Sequence, residues 1–583
     1  MSCPPNLDLW FCDTEFQDAG AADYAVHCVV FQNFRTGEVV GVWEPQGNPC
    51  PINFTDNTVL VSYYAIAEVR AFLSLAWPVP SRVLDLFAEF RVETNGMLLP
   101  SGRSLIGALV HFGLPHMASG EKGEMRDIAI RGGPFSDKEH TDLLAYCMSD
   151  VQALAALYDA MAAKIDWPRA LIRGTYMVAL SRVEWRGIPI NVDALNLALE
   201  RWDSVKTEMI QAVDVDYGVF VGGSFSQERF LQYLAQHRIA WPVTETGRPR
   251  LDDDTFREMA RMHPQLGLLR ELRYALSKTR LLADLAIGPD GRNRCGLSPF
   301  ASVTGRNQPS SAKFIFGPSV WTRNFIRPEP GRAIAYVDYS QQEFGIGAAL
   351  SGDANMMLSY SSGDPYLSFA QMAGAVPTTA TKRSHAVERE RFKVAALAVQ
   401  YGMQSVSLGL KMGESPAHGR ELLDLHRRTY PDYWLYLERV VSRIKFSYRH
   451  TLSMGWRINV LPQLEGIRSD NTLGNFWVQG NGAEMLRLAI ILADKMGVEV
   501  VAPVHDALLV EADEADIDEA VRTTQQAMRL ASEIILNAPD TPPEAIFRLR
   551  SDAKIVHHPD HYSDPRGDEF WGKLREFVPQ LPP

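Results

Sequence analysis

Short apolar runs open the chain. DLWFCDTEF, DYAVHCVVFQNF, EVVGVWEP and NTVLVSYYA each set apolar or β-branched positions between turn residues, and each predicts a strand. SDKEHTDLLAYCMSDVQALAALYDAMAAK (136–164) instead repeats its apolar positions every three to four residues and predicts a helix. Strands followed by helices imply an α/β domain closing near Asp166-Trp167-Pro168. The periodicity is then helical to about residue 287, passes the turn GPDGRN, and becomes mixed α/β to the C-terminus. GRAIAYVDYSQQEFGIGAALSGD predicts a strand ending at Asp338, a polar turn and a helix; VEVVAPVHDALLVEAD predicts a hairpin with His505-Asp506 at its tip.

Composition narrows the class without naming it. The 583 residues are 46% hydrophobic and 22% charged, ordinary globular usage that excludes disorder and leaves room for several cores. Fifty-eight basic against seventy acidic side chains leave a net charge of -12, which argues against nonspecific coating of nucleic acid but not against a local basic cleft. One such stretch, REMARMHPQLGLLRELRYALSKTR, carries six Lys/Arg against two Glu and is read equally as a solvated helix face or a DNA-backbone contact. The six cysteines show no CxxC spacing, so neither a zinc site nor a disulfide framework is expected. The absence of a basic, apolar leader and of any ~20-residue apolar run predicts an untargeted protein of the cytoplasm with no membrane partner.

Chemistry concentrates in two places. Asp13 and Glu15 lie two apart on a predicted strand and so face the same side, where their charges repel unless a cation sits between them. Tyr146 and Asp150 lie four apart on a predicted helix, a phenol beside a carboxylate. Oxygen-only ligands favour Mg²⁺ or Mn²⁺, two of which can clamp a phosphodiester undergoing in-line displacement. The DxE pair alone reads as surface acids, but DTE followed by YxxxD some 130 residues later resembles the 3′–5′ exonuclease domain with a tyrosine in its third motif. That resemblance implies catalysis by Asp13, Glu15, Tyr146 and Asp150, with metal held by Asp13, Glu15 and Asp150. The family's further acid is placed at Glu68 in SYYAIAEVRAF, with Asp85 in SRVLDLFAEF as the alternative.

The second place joins Asp338 and Asp506 to the helix RERFKVAALAVQYG, where Arg389, Lys393, Leu397 and Tyr401 recur every fourth residue. At ~1.5 Å rise per residue the ladder spans about 18 Å, cationic at its start and aromatic at its end, the polarity of a nucleoside triphosphate. Alone it also reads as an amphipathic core helix with a basic edge.

DYSQQE, R-x3-K-x7-YG and VHDA, in that order, resemble motifs A, B and C of family A (DNA polymerase I-like) DNA polymerases, in the style of bacteriophage members. SVTGR, GDPY and NFWVQGNGAEMLRLA extend the likeness. The resemblance implies an α/β and α+β multidomain chain: an RNase H-like exonuclease domain over 1–165, then a right-hand polymerase domain over 166–583. Within the latter it implies a thumb over about 166–290, a palm over about 291–380 and 451–583, and fingers over about 381–450. It implies Asp338 and Asp506, with Tyr339, as ligands of two Mg²⁺, Mn²⁺ substituting, and two further ions in the exonuclease. Arg389 and Lys393 would neutralise phosphate charge. Leu397, Tyr401, Glu343 and Gln342 would complete the nucleotide pocket, Glu343 as the gate against a ribose 2′-oxygen. His505, Gln479, Arg306 and Asn475 would touch DNA.

The implied partners are primer-template DNA and deoxynucleoside triphosphates, with a replicative helicase or primase, and the chain is expected to act as a monomer in a bacterial host's cytoplasm replicating phage DNA. The chain opens at the exonuclease, so no 5′-nuclease domain is expected, and the short thumb leaves little room for a processivity factor. Three positions depart from the family's pattern: Ala507 stands where motif C has an acid, Leu397 where motif B has an aromatic ring, and Phe344-Gly345 where Leu-Arg is common. The alternatives are a single-subunit RNA polymerase, which Glu343 opposes, a polymerase with an idle exonuclease, and an inert DNA-binding relative, which intact Asp338 and Asp506 oppose.

Overall fold

The computed structural model describes residues 6–582 except 19, 21–22, 118, 245, 280–281, 318, 401, 413 and 461–469. It divides into two compact units, one formed by Met1–Arg186, Leu297–Gln308 and Ile334–Ile555, the other by Gly187–Gly296, Pro309–Ala333 and Val556–Pro583.

The first unit begins with β1 (Asp8–Gln17), β2 (Ala25–Asn33), β3 (Val39–Trp43) and β4 (Thr58–Ser62), the four strands legible in the sequence. α1 (Ile66–Ser74) leads to β5 (Val83–Asp85) and α2 (Leu86–Thr94). α3 (Leu105–His111), α4 (Ser119–Arg131), α5 (Asp137–Met161) and α6 (Trp167–Arg186) follow. The sheet order is β3-β2-β1-β4-β5, with β1 antiparallel to β2 and parallel to β4. As the central strand, β1 is covered on both faces, so Leu9, Phe11 and Cys12 are all buried rather than alternating. Leu9 and Phe11 join Val59, Val61, Leu84, Phe90, Leu154 and Leu157 in one core, each large side chain contributing about 1.5–3 kcal/mol. α5 starts where Ser136 and Glu139 form a reciprocal capping box. α6 lies so close to β5 that a Cβ on Gly174 would sit 1.8 Å from the Val83 carbonyl oxygen.

Gly187–Gly296 carries β6 (Ile188–Pro189), α7 (Val192–Asp214), β7 (Phe220–Val221), β8 (Ser224–Phe225), α8 (Gln227–Gln236), α9 (Asp253–Met262), α10 (Gly267–Thr279) and β9 (Arg292–Asn293). Phe230, Phe256, Leu266 and Leu269 centre its core. The basic stretch falls on α9 and α10, and several of its cations are engaged there. Arg257 pairs with Asp253 and Asp254, Arg270 lies 3.8 Å from Asp253, and the Arg273 guanidinium sits over the rings of Phe225 (3.9 Å) and Phe256 (4.4 Å). These three guanidiniums are therefore partly spent on the fold, which weakens the expectation that the stretch grips DNA.

The first unit resumes with β10 (Arg332–Tyr339), whose first two residues belong to the second unit, and α11 (Gln342–Ser351). α12 (Ala354–Ser361), α13 (Pro365–Met372), α14 (Ala386–Gln400), α15 (Ser405–Met412), α16 (Pro416–Thr429) and α17 (Pro431–Ser447) follow. Then come β11 (Arg449–Thr451), β12 (Arg457–Asn459), α18 (Asp470–Lys495), β13 (Glu499–Val504), β14 (Ala507–Asp513), α19 (Ile517–Leu536) and β15 (Ser551–His557); α20 (Pro565–Phe577) belongs to the second unit. β13, β14, β10 and β15 form a four-stranded sheet in that order.

Buried polar contacts tie the N-terminal sheet region to later segments of the first unit. Arg91 donates to the Phe300 and Ala301 carbonyls, and Asn95 donates to the Val303 and Arg457 carbonyls at 2.7 Å each. The fully paired Arg173 and Glu89 meet at 2.6 and 2.8 Å on α6 and α2. Removing either partner would strand a buried charge, a loss of about 3–5 kcal/mol. Among the described residues no helix is long and apolar enough to cross a membrane.

Candidate functional site

Two acids meet where β10 and the β13–β14 hairpin run side by side. The hairpin register pairs Val504 with Ala507, leaving His505-Asp506 as its two-residue turn, and His505 takes a positive φ of 58° to close it. The Tyr339 N–H donates to the Asp506 carbonyl at 3.3 Å, fixing the turn against the end of β10. Strand alternation sends Asp338 to one face and Tyr339 to the other. The Tyr339 hydroxyl donates to the Met528 carbonyl at 2.7 Å, inside the core. The Tyr339 phenol is thus committed away from the acids, and its backbone is the part of the residue left to meet a cation.

Asp338 and Asp506 line a cavity of about 510 Å³, and Arg389, Lys393 and Leu397 line it from α14. Gln342, Glu343, Arg306 and His505 border the same space. Burial, then the charge of Asp506, then that of Asp552, push the Asp338 carboxyl up to about 6. Burial also raises Asp506. Burial raises both carboxyls and the charge of Asp506 raises Asp338 further, an arrangement matched to a hard divalent cation. Among the described residues no group of three His, Cys, Asp or Glu is gathered as a ready ligand set, so a bound cation would need other oxygens as well.

The cationic wall is braced by acids. Arg389 Nε donates to Asp364 at 2.5 Å, and Asp364 also caps α13; Lys393 lies 3.2 Å from Glu390. Arg306 faces Glu343 at 3.4 Å. Three glutamines, Gln341, Gln342 and Gln400, each hold at least one buried polar atom without a partner beside this cavity. Gln400, one turn beyond Leu397, was not singled out by the sequence because its neighbours there are apolar. Of the residues expected to touch DNA, His505 and Arg306 line the cavity. Asn475 instead borders a second cavity of about 340 Å³ with Arg427 and Trp434, and Gln479 lies one turn further along α18. Tyr401 lies outside the described residues.

The N-terminal acids also converge. Asp13 and Glu15 share a face of β1, and α5 brings Tyr146 and Asp150 into their field. Burial followed by the charge of Asp150 raises Asp13, burial followed by Asp13 raises Glu15, and burial followed by Asp150 raises Tyr146. Glu68 on α1 is 3% exposed and is raised by burial and then by Asp13; its Oε2 and the Oδ2 of Asp13 have no partner. Asp85 is spent: its carboxylate accepts the N–H groups of Ala65 (2.7 Å) and Ala88 (2.8 Å) as the cap of α2. Between the two alternatives, only Glu68 has a free carboxylate oxygen toward the other acids. One neighbour was not foreseen. Lys122 on α4 places Nζ 2.6 Å from Asp150 and 5.5 Å from the centre of the Tyr146 ring. A single lysine in a mixed-charge helix carries no sequence mark of that position.

A sheet that presents paired carboxylates across a nucleotide-sized cavity from an Arg/Lys helix is the arrangement of a nucleotide-polymerising fold. Residues 309–541 match the family model described as DNA polymerase family A. DNA polymerase I of Aquifex aeolicus (strain VF5) is 23% identical over 403 residues, 66% of this chain and 67% of that protein. The thermostable DNA polymerase I of Thermus caldophilus is 27% identical over 215 residues, 35% of this chain, and the matched region is only 25% of its length. Among solved structures, the POL domain of Pol1 from M. smegmatis in complex with DNA primer-template and dNTP superposes with a TM-score of 0.73. That likeness covers 94% of this chain and 95% of the other at 17% identity, so it is one of fold.

Proposed function

We propose that the chain is a template-directed DNA polymerase that extends a primer 3′ end with deoxynucleotides and carries a 3′–5′ exonuclease in its N-terminal region. The observation that carries the first part is the opposition of Asp338 and Asp506 to Arg389 and Lys393 across one cavity. Asp338 and Asp506 would hold two Mg²⁺ ions, which when bound lower the pKa of the primer hydroxyl and neutralise charge at the reacting phosphate. Arg389 and Lys393 bind the triphosphate oxygens and stabilise charge that grows on the departing pyrophosphate. Their bracing by Asp364 and Glu390 holds the cations in place before substrate arrives. Glu343 narrows the pocket beside the sugar and selects the deoxy form; Leu397 packs against the nucleoside. His505 and Arg306 border the primer side, with Gln479 and Asn475 contacting DNA beyond the cavity. The proposed division follows the sequence: exonuclease over 1–165, thumb, palm and fingers within 166–583, with phage replication as the setting and monomeric action.

The exonuclease reading rests on the convergence of Asp13, Glu15, Glu68, Tyr146 and Asp150. Asp13, Glu15 and Asp150 would hold its cations, and Tyr146 would orient the attacking water. A polymerase with an idle exonuclease is the second reading, favoured by the Lys122–Asp150 pair, which neutralises one of the acids.

The test is a 5′-labelled primer on a longer template with Mg²⁺, with and without the four deoxynucleotides. Extension with nucleotides and shortening without them are expected. Extension without shortening selects the idle exonuclease, and no extension overturns the polymerase reading.

A further inference from the structure

Motif C of this chain lacks the acid that usually follows its aspartate; Ala507 stands there, fully buried. The sheet supplies another acid from a different strand. The Ser340 N–H donates to the Arg550 carbonyl at 2.9 Å, and the His558 N–H to the Arg332 carbonyl at 3.4 Å. These two bonds set β10 and β15 antiparallel in a register that places position 552 opposite position 338. Directly opposed residues project from the same face with Cβ atoms about 4.5–5.5 Å apart. Asp552 also accepts the Ser340 hydroxyl at 2.6 Å through Oδ2, and Ser340, two residues beyond Asp338, shares its face. Asp552 is exposed, and its charge is one of the three influences that raise Asp338.

We propose that Asp552 is the third carboxylate of the polymerase site, delivered by β15 in place of the missing motif C acid, and that it increases the site's affinity for divalent cations. The inference rests on the polymerase reading of Asp338 and Asp506. Like charges set directly across a ladder destabilise the sheet. An exposed acid beside the place where a polyanion must lie adds a second repulsion. Both costs reverse when a cation is held on that face; because Asp338, Asp506 and Asp552 are not gathered as a direct ligand set, Asp552 meets it through water. The seryl bond engages one carboxylate oxygen and leaves the charge in place, so holding Ser340 does not account for an aspartate here. A neutral amide or hydroxyl could accept the same bond.

The experiment uses the full chain bound to a dideoxy-terminated primer-template with the next deoxynucleotide, so that no turnover occurs. Mn²⁺ binding is followed by electron paramagnetic resonance, and extension of an ordinary primer is titrated with Mg²⁺ in parallel. Asp552→Asn should raise the half-saturating cation concentration about tenfold in both. Asp552→Glu should restore most of it, and Ser340→Ala should leave it unchanged. Thermal melts confirm that the variants fold, and Asp552→Ser is the second neutral variant should the amide not fold. Wild-type cation affinity in both neutral variants, or the same loss in Ser340→Ala, overturns the inference while leaving polymerase activity standing. Absence of extension by the wild type overturns the underlying reading instead, and the Mn²⁺ titration separates the two.

Discussion

Asp338 and Asp506 are costly residues for the free protein. A carboxyl raised to about 6 in the fold from an ordinary value near 4 favours its neutral form. The cost of ionising it grows as pH rises through that window and persists above it. Asp338→Asn should therefore raise the melting temperature of the metal-free protein at pH 7.5 while lowering primer extension on the order of 10³-fold, the scale of several kcal/mol of lost charge stabilisation. The same carboxyl must ionise to bind a cation, so half-saturating Mg²⁺ should climb as pH falls below about 6. A titration at pH 5.5, 6.5 and 7.5 checks the sign. Glu68 and Asp85 make a matched contrast: Glu68→Gln should stop primer shortening with little loss of stability. Asp85→Asn weakens two N–H contacts at the α2 cap and should cost about 1 kcal/mol in urea unfolding while leaving shortening in place.

Elements matter here mainly for the angles at which they aim side chains. α14 delivers Arg389, Lys393 and Leu397 to one cavity because residues four apart share a helix face. α11 begins after Gln341 in the left-handed conformation, a sharp turn that brings Gln342 and Glu343 back over the end of β10. Shortening Glu343 to alanine should raise use of ribonucleotides relative to deoxynucleotides about tenfold or more, read from paired single-nucleotide incorporation rates. α6 shows the limit of tolerance. With the Val83 carbonyl 1.8 Å from where a Cβ would stand, Gly174→Ala has to push two elements apart. It should destabilise the protein by about 1–3 kcal/mol, measured by denaturant midpoint.

At the scale of the whole molecule, a net charge of -12 forces DNA binding to rely on local cations. Affinity for primer-template should fall at least tenfold between 50 and 200 mM salt, on the order expected when a few phosphates are neutralised, as a filter-binding titration would show. Asp13 and Glu15 lie on one sheet and Asp338 and Asp506 at another, so on the proposed assignment Asp506→Asn should abolish extension and spare shortening, and Glu15→Gln should do the reverse.

The amino-acid order determined four of the five strands of the first sheet, the helices α5 and α14 and the β13–β14 hairpin, and it singled out Asp13, Glu15, Tyr146, Asp150, Asp338 and Asp506 as candidates. Those are local matters: apolar period, turn chemistry and motif spacing all act within a few residues. Tertiary structure decided what depends on distant segments meeting. It committed the Tyr339 phenol to Met528 and Asp85 to a helix cap, and spent Arg257, Arg270 and Arg273 on neighbours within their own unit. It brought Lys122 to Asp150 across 28 residues and set Asp552 opposite Asp338 across more than two hundred. No local pattern encodes such meetings, because the register of a sheet and the packing of a helix on it are fixed by the burial of the whole face.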